Sequence, residues 1–183
     1  MKLRRTVITA LLAAFLSILC PLSVGLGGVP VSLGTFCMCL LALVIDRRCA
    51  LMALMLYVLL GAVGLPVFAG FSGGAHVLVG PTGGYLFGYI PMVTVVSLIG
   101  GRQRNLLRMA LGMALGHVIC YGFGAVWYAV QANMSLWEAL AVGVLPFLLF
   151  DAVKMVAAGA LALLLGPRVE RMTRFYENGD REK

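Results

Sequence analysis

Long apolar stretches alternate with short polar linkers along this chain. The apolar runs cover residues 6–24, 32–45, 49–65, 82–100, 107–131 and 137–165. About 20 helical residues span the hydrocarbon core of a bilayer, so the second run is short and the sixth is long. The pattern predicts an all-α integral membrane protein in which six transmembrane helices form a single domain over residues 1–183. The first run follows basic residues, as a secretory signal does, but it is long for a signal and lacks a small-residue cleavage site. We therefore interpret it as the first membrane helix.

The linkers between these runs differ in charge. Those at 46–48 and 101–108 carry arginines, whereas those at 25–31, 66–81 and 132–136 contain no lysine or arginine. Basic linkers stay on the cytoplasmic side of a membrane. With six spans, the alternation predicts that both termini and the basic linkers are cytoplasmic, and that the uncharged linkers lie outside.

The outer linker at 66–81 is rich in glycine and too apolar for a loop surrounded by water. Non-helical backbone at membrane depth is tolerated where it is buried in protein or lines a cavity. We therefore expect this linker to fold back over the helices as a lid. Trp127, Tyr128 and Trp137 fit an aromatic belt at the same outer boundary.

Composition and charge agree with a membrane protein. Hydrophobic residues make up 62% of the chain and charged residues 11%, against roughly half and about a quarter in soluble domains. The net charge of +7 would suit a nucleic-acid partner, but every lysine and arginine except Lys154 lies in a linker or near a terminus. This distribution indicates membrane orientation, so we expect no nucleic-acid partner.

The five cysteines lie in apolar stretches, without a Cys-x-x-Cys pair or a histidine at metal-ligand spacing. We interpret them as small packing residues and expect neither a disulfide framework nor a bound metal. The sequence also lacks a Gly-x-x-x-x-Gly-Lys-Ser/Thr loop, so we expect no nucleotide or other cofactor on this chain. If the protein pumps a solute, a partner or an ion gradient must supply the energy.

Two charged residues interrupt the sixth run. Asp151 and Lys154 are embedded in largely apolar sequence, and each charge at mid-membrane costs about 2.5–3.5 kcal/mol on insertion scales. Their spacing of three puts them on one helical face, where they can pair. One alternative is an ion pair that only holds the sixth helix against its neighbours. We favour a binding role, because a carboxylate beside a three-donor ammonium suits a neutral urea or amide ligand.

A second candidate site is Gly80-Pro81-Thr82-Gly83-Gly84-Tyr85 at the start of the fourth run. The first N–H groups of a helix have no intrahelical partner, and proline is favoured in the first turn. This helix start could present donors to a ligand carboxylate or carbonyl. The alternative is tight packing of this helix start on the fifth helix. Small residues recur every four positions in both runs, and we interpret these stripes as surfaces where the two helices pack together. These residues are Gly80, Gly84 and Gly88, and Gly112, Gly116, Cys120 and Gly124.

The histidines and one serine leave other roles open. His76 lies in the outer linker and His117 within the fifth run, where a histidine is often only an interior hydrogen bonder. Gly70-Phe71-Ser72-Gly73 has the Gly-x-Ser-Gly form found around the nucleophile of rhomboid-type intramembrane proteases, with His117 as a candidate base. Ser72, however, lies in a linker and not at the head of a membrane helix, so we rank the protease alternative below a binding role.

Four segments form a specific combination. They are 29–35 (VPVSLGT), 57–70 (YVLLGAVGLPVFAG), 80–88 (GPTGGYLFG) and 143–154 (GVLPFLLFDAVK). Together they resemble the BioY family, the biotin-specific substrate-binding subunits of energy-coupling-factor transporters. The resemblance covers nearly the whole chain.

The resemblance implies a six-helix plasma-membrane protein, not an enzyme, that binds biotin at an outward-facing pocket. It also implies association with a transmembrane coupling protein and two cytoplasmic ATPases, and reorientation in the membrane to release the vitamin inside. Ala10 and Ala14 match the Ala-x-x-x-Ala element of the first helix by which these subunits dock on the coupling protein.

Asp151 and Lys154 match the family's Asp-x-x-Lys pair, which implies that they hold the ureido ring. In this interpretation Asp151 accepts from ureido N–H groups and Lys154 donates to the ureido carbonyl. Thr82, Gly83, Gly84 and Tyr85 line the site, and the loop 68–76, with Phe68 and His76, closes over it. Leu149-Phe150 stand where the family usually has Pro-Gly. A subunit of the same architecture for another vitamin or a biotin precursor is the alternative.

Overall fold

The computed structural model describes residues 2–26, 29–101 and 105–179. Arg102 and Arg104, which the sequence places in a basic linker, lie outside these ranges. The helices are α1 (Lys2–Leu19), α2 (Gly34–Val44), α3 (Arg47–Ala62), α4 (Ala75–Val79), α5 (Gly83–Ile99), α6 (Leu106–Gln131), α7 (Leu136–Gly143) and α8 (Leu148–Gly179). Between α1 and α2, the strands β1 (Ser23–Leu26) and β2 (Val29–Ser32) form an antiparallel hairpin that the sequence does not predict.

Much of the helical surface is apolar. Two segments of the described chain are long and apolar enough to cross a membrane, Leu106–Gln131 and Leu136–Val169, and shorter apolar helices accompany them. Large hydrophobic side chains on α6, such as Val118, Phe123 and Val130, are more than half exposed. Contiguous exposed apolar surface of this kind marks a lipid or protein interface.

The sixth apolar run is two helices, whereas the sequence predicts one over 137–165. Val144 leaves helical geometry (φ −131°, ψ −53°), and Leu145–Phe147 form a 3-10 turn that contains Pro146. Proline has no N–H and clashes with the carbonyl one turn earlier, which favours a break in the helix at this position. The break puts Asp151 in the first turn of α8, where the helix dipole favours a carboxylate.

The linker at 66–81 has more regular structure than predicted. It contains a 3-10 turn at Ala69–Phe71 and the short helix α4. Gly70 (φ 71°) adopts a left-handed conformation that other residues rarely occupy, and its N–H donates to the Pro21 carbonyl at 3.0 Å. The linker is thereby joined to the end of α1, beside the β1–β2 hairpin.

Helices α5 and α6 pack extensively against each other, and glycines permit their close approach. A β-carbon at Gly116 would lie 2.7 Å from Val96 Cγ2, and one at Gly84 would overlap the Cβ of Trp127. The prediction that the small-residue stripes pack the fourth and fifth runs together is therefore confirmed. The cysteines are free and buried, and most of them lie in the main core.

Candidate functional site

A cavity of about 350 Å³ lies at one end of the bundle, among the β1–β2 hairpin, the linker 66–81, the start of α5, the middle of α6 and the α7–α8 junction. This volume falls within the range of roughly 300–1,000 Å³ typical of small-molecule sites. Two of the linkers that lack lysine and arginine contribute to it, through Pro30 and Val31 and through residues of 66–81. The polar residues that line it are Ser32, Thr35, Ser72, His76, Thr82, Tyr85, Tyr89, Tyr121, Asp151 and Lys154.

Asp151 and Lys154 form the ion pair that their spacing predicts. The Lys154 ammonium lies 2.8 Å from Asp151 Oδ1, and Asp151 is only 4% exposed. Removing two charges from water is costly unless each also has further hydrogen-bond partners. The neighbouring segments supply these partners.

Three donors surround the Asp151 carboxylate. The Thr35 hydroxyl on α2 donates to Oδ1 at 2.8 Å, as does the Lys154 ammonium. The Tyr121 hydroxyl on α6 donates to Oδ2. The carboxylate is therefore held in place by α2, α6 and α8 together.

The Lys154 ammonium uses its three N–H groups on three acceptors. It donates to the Ser32 carbonyl at 2.6 Å and to Asp151 Oδ1 at 2.8 Å, and reaches the Thr35 hydroxyl at 3.4 Å. The contact with Thr35 is the longest and therefore the weakest of the three. A ligand carbonyl that accepts a hydrogen bond from Lys154 would replace this contact with Thr35 at the lowest cost in free energy.

The start of α5 is divided between the cavity and the protein interior. Thr82 and Tyr85 line the cavity, and the Tyr85 hydroxyl donates to the Gly143 carbonyl at 2.8 Å, which ties α5 to the end of α7. Gly83 and Gly84 are buried and do not line it: Gly83 packs on the Leu78 carbonyl and Gly84 on α6. For these two glycines the geometry favours the packing alternative.

The two predicted lid residues also line the cavity, but in different environments. Phe68 is 1% exposed, packs edge-on against Tyr57 with ring centroids 5.6 Å apart, and covers Gly61. His76, on α4, is exposed. The linker is therefore anchored in the core at Phe68 and meets solvent or lipid at His76.

The arrangement required for a protease is not formed. The single O–H of Ser72 donates to the Ala69 carbonyl and therefore to no histidine. Within the described ranges, no three His, Cys, Asp or Glu side chains converge on one point.

Thr35 and Tyr121 were not predicted from the sequence as site residues. Thr35 is the last residue of segment 29–35, which carries part of the family resemblance, but the resemblance implied no role for it. Tyr121 is a polar side chain inside an apolar run, one turn after His117, and its ring meets the His117 ring edge-on at 5.8 Å. Polar residues at such depth point to a protein interior, which is the signal that could have identified Tyr121.

A bundle of apolar helices whose cavity ends on a hydrogen-bonded ion pair is typical of membrane proteins that bind a small polar solute. Comparison with known proteins gives the particular family. The chain belongs to the BioY family, whose family model matches residues 1–171. This membership makes it a membrane transport protein and not an enzyme.

Several relatives support the assignment. The chain is 41% identical to the biotin transporter BioY of Thermotoga maritima over 144 residues, which cover 79% of this chain and 85% of that protein. It is 33% identical to the biotin transporter BioY2 of Lactococcus lactis subsp. cremoris over 181 residues, 97% of this chain and 98% of that protein. The fold matches a crystal structure of the S-component for biotin from an ECF-type ABC transporter with a TM-score of 0.78. That match has 22% identity and covers 90% of this chain and 91% of the other.

Proposed function

We propose that this chain captures biotin outside the cell as the substrate-binding subunit of an energy-coupling-factor transporter. The relatives named above are biotin transporters, and the cavity offers the chemistry that a ureido group requires. The observation that carries the proposal is the buried Asp151–Lys154 pair at the end of this cavity. It places an acceptor beside a donor in an apolar surrounding, where both interactions are strong.

In the proposed complex the ureido ring lies against this pair. Asp151 accepts from a ureido N–H, and Lys154 donates to the ureido carbonyl in place of its contact at 3.4 Å with Thr35. Thr82, Tyr85, Phe68 and His76 surround the rest of the ligand. Gly83 and Gly84 contribute through packing of α5. The loop 68–76 closes over the ligand as a lid.

The proposed orientation in the plasma membrane places the cavity on the outside. Its walls include Pro30, Val31 and residues of the linker 66–81, from segments that lack basic residues, whereas the arginines of 46–48 fit the cytoplasmic side. Six spans then result if α7 and α8 together count as the last one, and both termini are cytoplasmic. All of these segments form one domain.

A coupling partner follows from the same proposal. The chain has no nucleotide-binding loop, so a transmembrane coupling protein and two cytoplasmic ATPases would supply the energy. Ala10 and Ala14 are exposed on α1, among exposed apolar side chains such as Val7 and Leu11. Small residues four positions apart allow another helix to approach closely.

Equilibrium binding of labelled biotin to the detergent-purified protein tests the proposal. We expect tight binding by the wild type and at least a hundredfold loss in Lys154→Ala, because that change leaves a buried carboxylate unpaired. Val153→Ala on the exposed face of α8 is the control and should bind as the wild type does. Competition with thiamine, riboflavin and a biotin precursor checks the alternative ligands. Absence of binding by a well-folded wild type would refute the assignment of biotin.

A further inference from the structure

The Asp151 carboxylate has limited capacity for a ligand. An ionised carboxylate offers about four acceptor positions, two on each oxygen. Thr35 and Lys154 fill both positions of Oδ1, and Tyr121 fills one position of Oδ2. Across the described residues, a single position on Oδ2 is left without a protein donor.

A cyclic urea has two equivalent hydrogen-bonding edges, one on each side of its carbonyl. The ring fixes each N–H on the same side as the carbonyl, so each edge offers one donor beside one acceptor. A carboxylate with one open position next to an ammonium can bind one such edge. It cannot accept from both N–H groups, because these point away from each other across the carbonyl.

We infer that Tyr121 is a specificity-determining residue that fixes which of the two ureido edges Asp151 binds. The inference rests on the proposed function. The Tyr121 hydroxyl occupies the second position of Oδ2, and the carboxylate plane is fixed between Thr35 on α2 and Tyr121 on α6. The edge-on His117 ring, held by the Met113 carbonyl, supports the Tyr121 ring in this orientation.

The consequence is unequal recognition of the two ureido nitrogens. A methyl group on the nitrogen that faces Asp151 removes the donor that the carboxylate needs, whereas a methyl group on the other nitrogen leaves this contact intact. We expect the wild type to distinguish the two mono-N-methyl isomers of biotin by at least tenfold in affinity. A hydrogen bond to a charged group has about this effect.

The experiment compares biotin and both isomers in equilibrium binding to the wild type, Tyr121→Phe and Tyr128→Phe. Tyr128 is buried on the same helix and does not line the cavity, so its variant is the matched control. In Tyr121→Phe both positions of Oδ2 are open, so either ureido edge can bind Asp151. We expect biotin affinity to fall about fivefold to twentyfold and the isomer ratio to drop below threefold, whereas Tyr128→Phe keeps the wild-type ratio.

Three outcomes would overturn the inference while biotin binding stands. The wild type could bind both isomers with equal affinity, and measurements on the wild type alone would show this. Tyr121→Phe could keep the wild-type ratio, or Tyr128→Phe could lose it as well. Loss of general packing would lower all affinities together and leave the ratio unchanged. Absence of biotin binding by the wild type is a distinct result, because it would refute the proposed function and this inference with it.

Discussion

The Thr35 hydroxyl donates to Asp151 Oδ1 at 2.8 Å and so joins the first turn of α2 to the first turn of α8. These residues are 116 positions apart in the chain. The contact links two helix starts beside the cavity: α2 follows the β1–β2 hairpin, and α8 follows the 3-10 turn at Leu145–Phe147.

Replacing Thr35 by valine should weaken biotin binding. Valine keeps the shape but removes a donor to a buried carboxylate, and hydrogen bonds to charged groups contribute about 1.5–3 kcal/mol. We expect a loss of about tenfold or more in equilibrium binding. Thr35→Ser keeps the hydroxyl and should bind within a few-fold of the wild type. Wild-type binding by Thr35→Val together with a loss in Thr35→Ser would show that the methyl group matters and not the hydrogen bond.

Replacing both members of the ion pair should lower stability less than replacing either member alone. Asp151→Asn or Lys154→Met alone leaves a buried charge without its partner, at a cost of about 3–5 kcal/mol. The double variant removes both charges, so its melting temperature in detergent should lie closer to that of the wild type than either single variant does. All three variants should lose biotin binding. A double variant that still binds biotin tightly would reduce the pair to a structural role.

Gly84 should tolerate no side chain, although it does not line the cavity. In Gly84→Ala the new Cβ would overlap Trp127 and lie 2.8 Å from the Phe123 carbonyl, and overpacking of this kind typically costs 1–3 kcal/mol. We expect a lower melting temperature in detergent. Gly122 on α6 has open space around it, so Gly122→Ala is the control and should be neutral or slightly stabilising. Equal melting temperatures for the two variants would contradict the packing role.

The α1 surface should affect uptake but not binding. Ala10→Leu with Ala14→Leu blocks close approach of a partner helix, so we expect biotin uptake by cells that also contain the coupling module to fall at least fivefold. Binding of biotin to the purified variant should not change. Ala110→Leu with Ala114→Leu places the same change on an exposed, equally spaced pair on α6, and this control should transport normally. Normal uptake by the α1 variant would remove the proposed docking role.

Much of the fold follows from the sequence because lipid imposes strict rules. Apolar length indicates the helices, and the four-residue glycine spacing predicts the α5–α6 contact. The β1–β2 hairpin and the α4 helix could not be predicted in this way, because they lie in apolar linkers whose structure depends on packing over the cavity. The break at Val144 had a local signal in Pro146, but the continuous hydrophobicity on both sides obscured it.

The site was predictable where residues break a strong rule. Two charges within an apolar run have few explanations, so Asp151 and Lys154 were apparent from the sequence. Thr35 and Tyr121 are common residue types whose importance arises from the meeting of three helices. The role of Gly83 and Gly84 could not be predicted from the sequence, because close approach to a ligand and close approach to a helix both require glycine.

The burial of every cysteine in this chain has a practical consequence. Cys20, Cys37, Cys39, Cys49 and Cys120 are free but enclosed, so maleimide dyes should not reach them in the folded protein. A thiol introduced at Val79, which is 65% exposed at the end of α4, would then be the reactive one, without removal of the native thiols. A fluorophore at this position would report in real time whether the linker over the cavity moves when biotin is added.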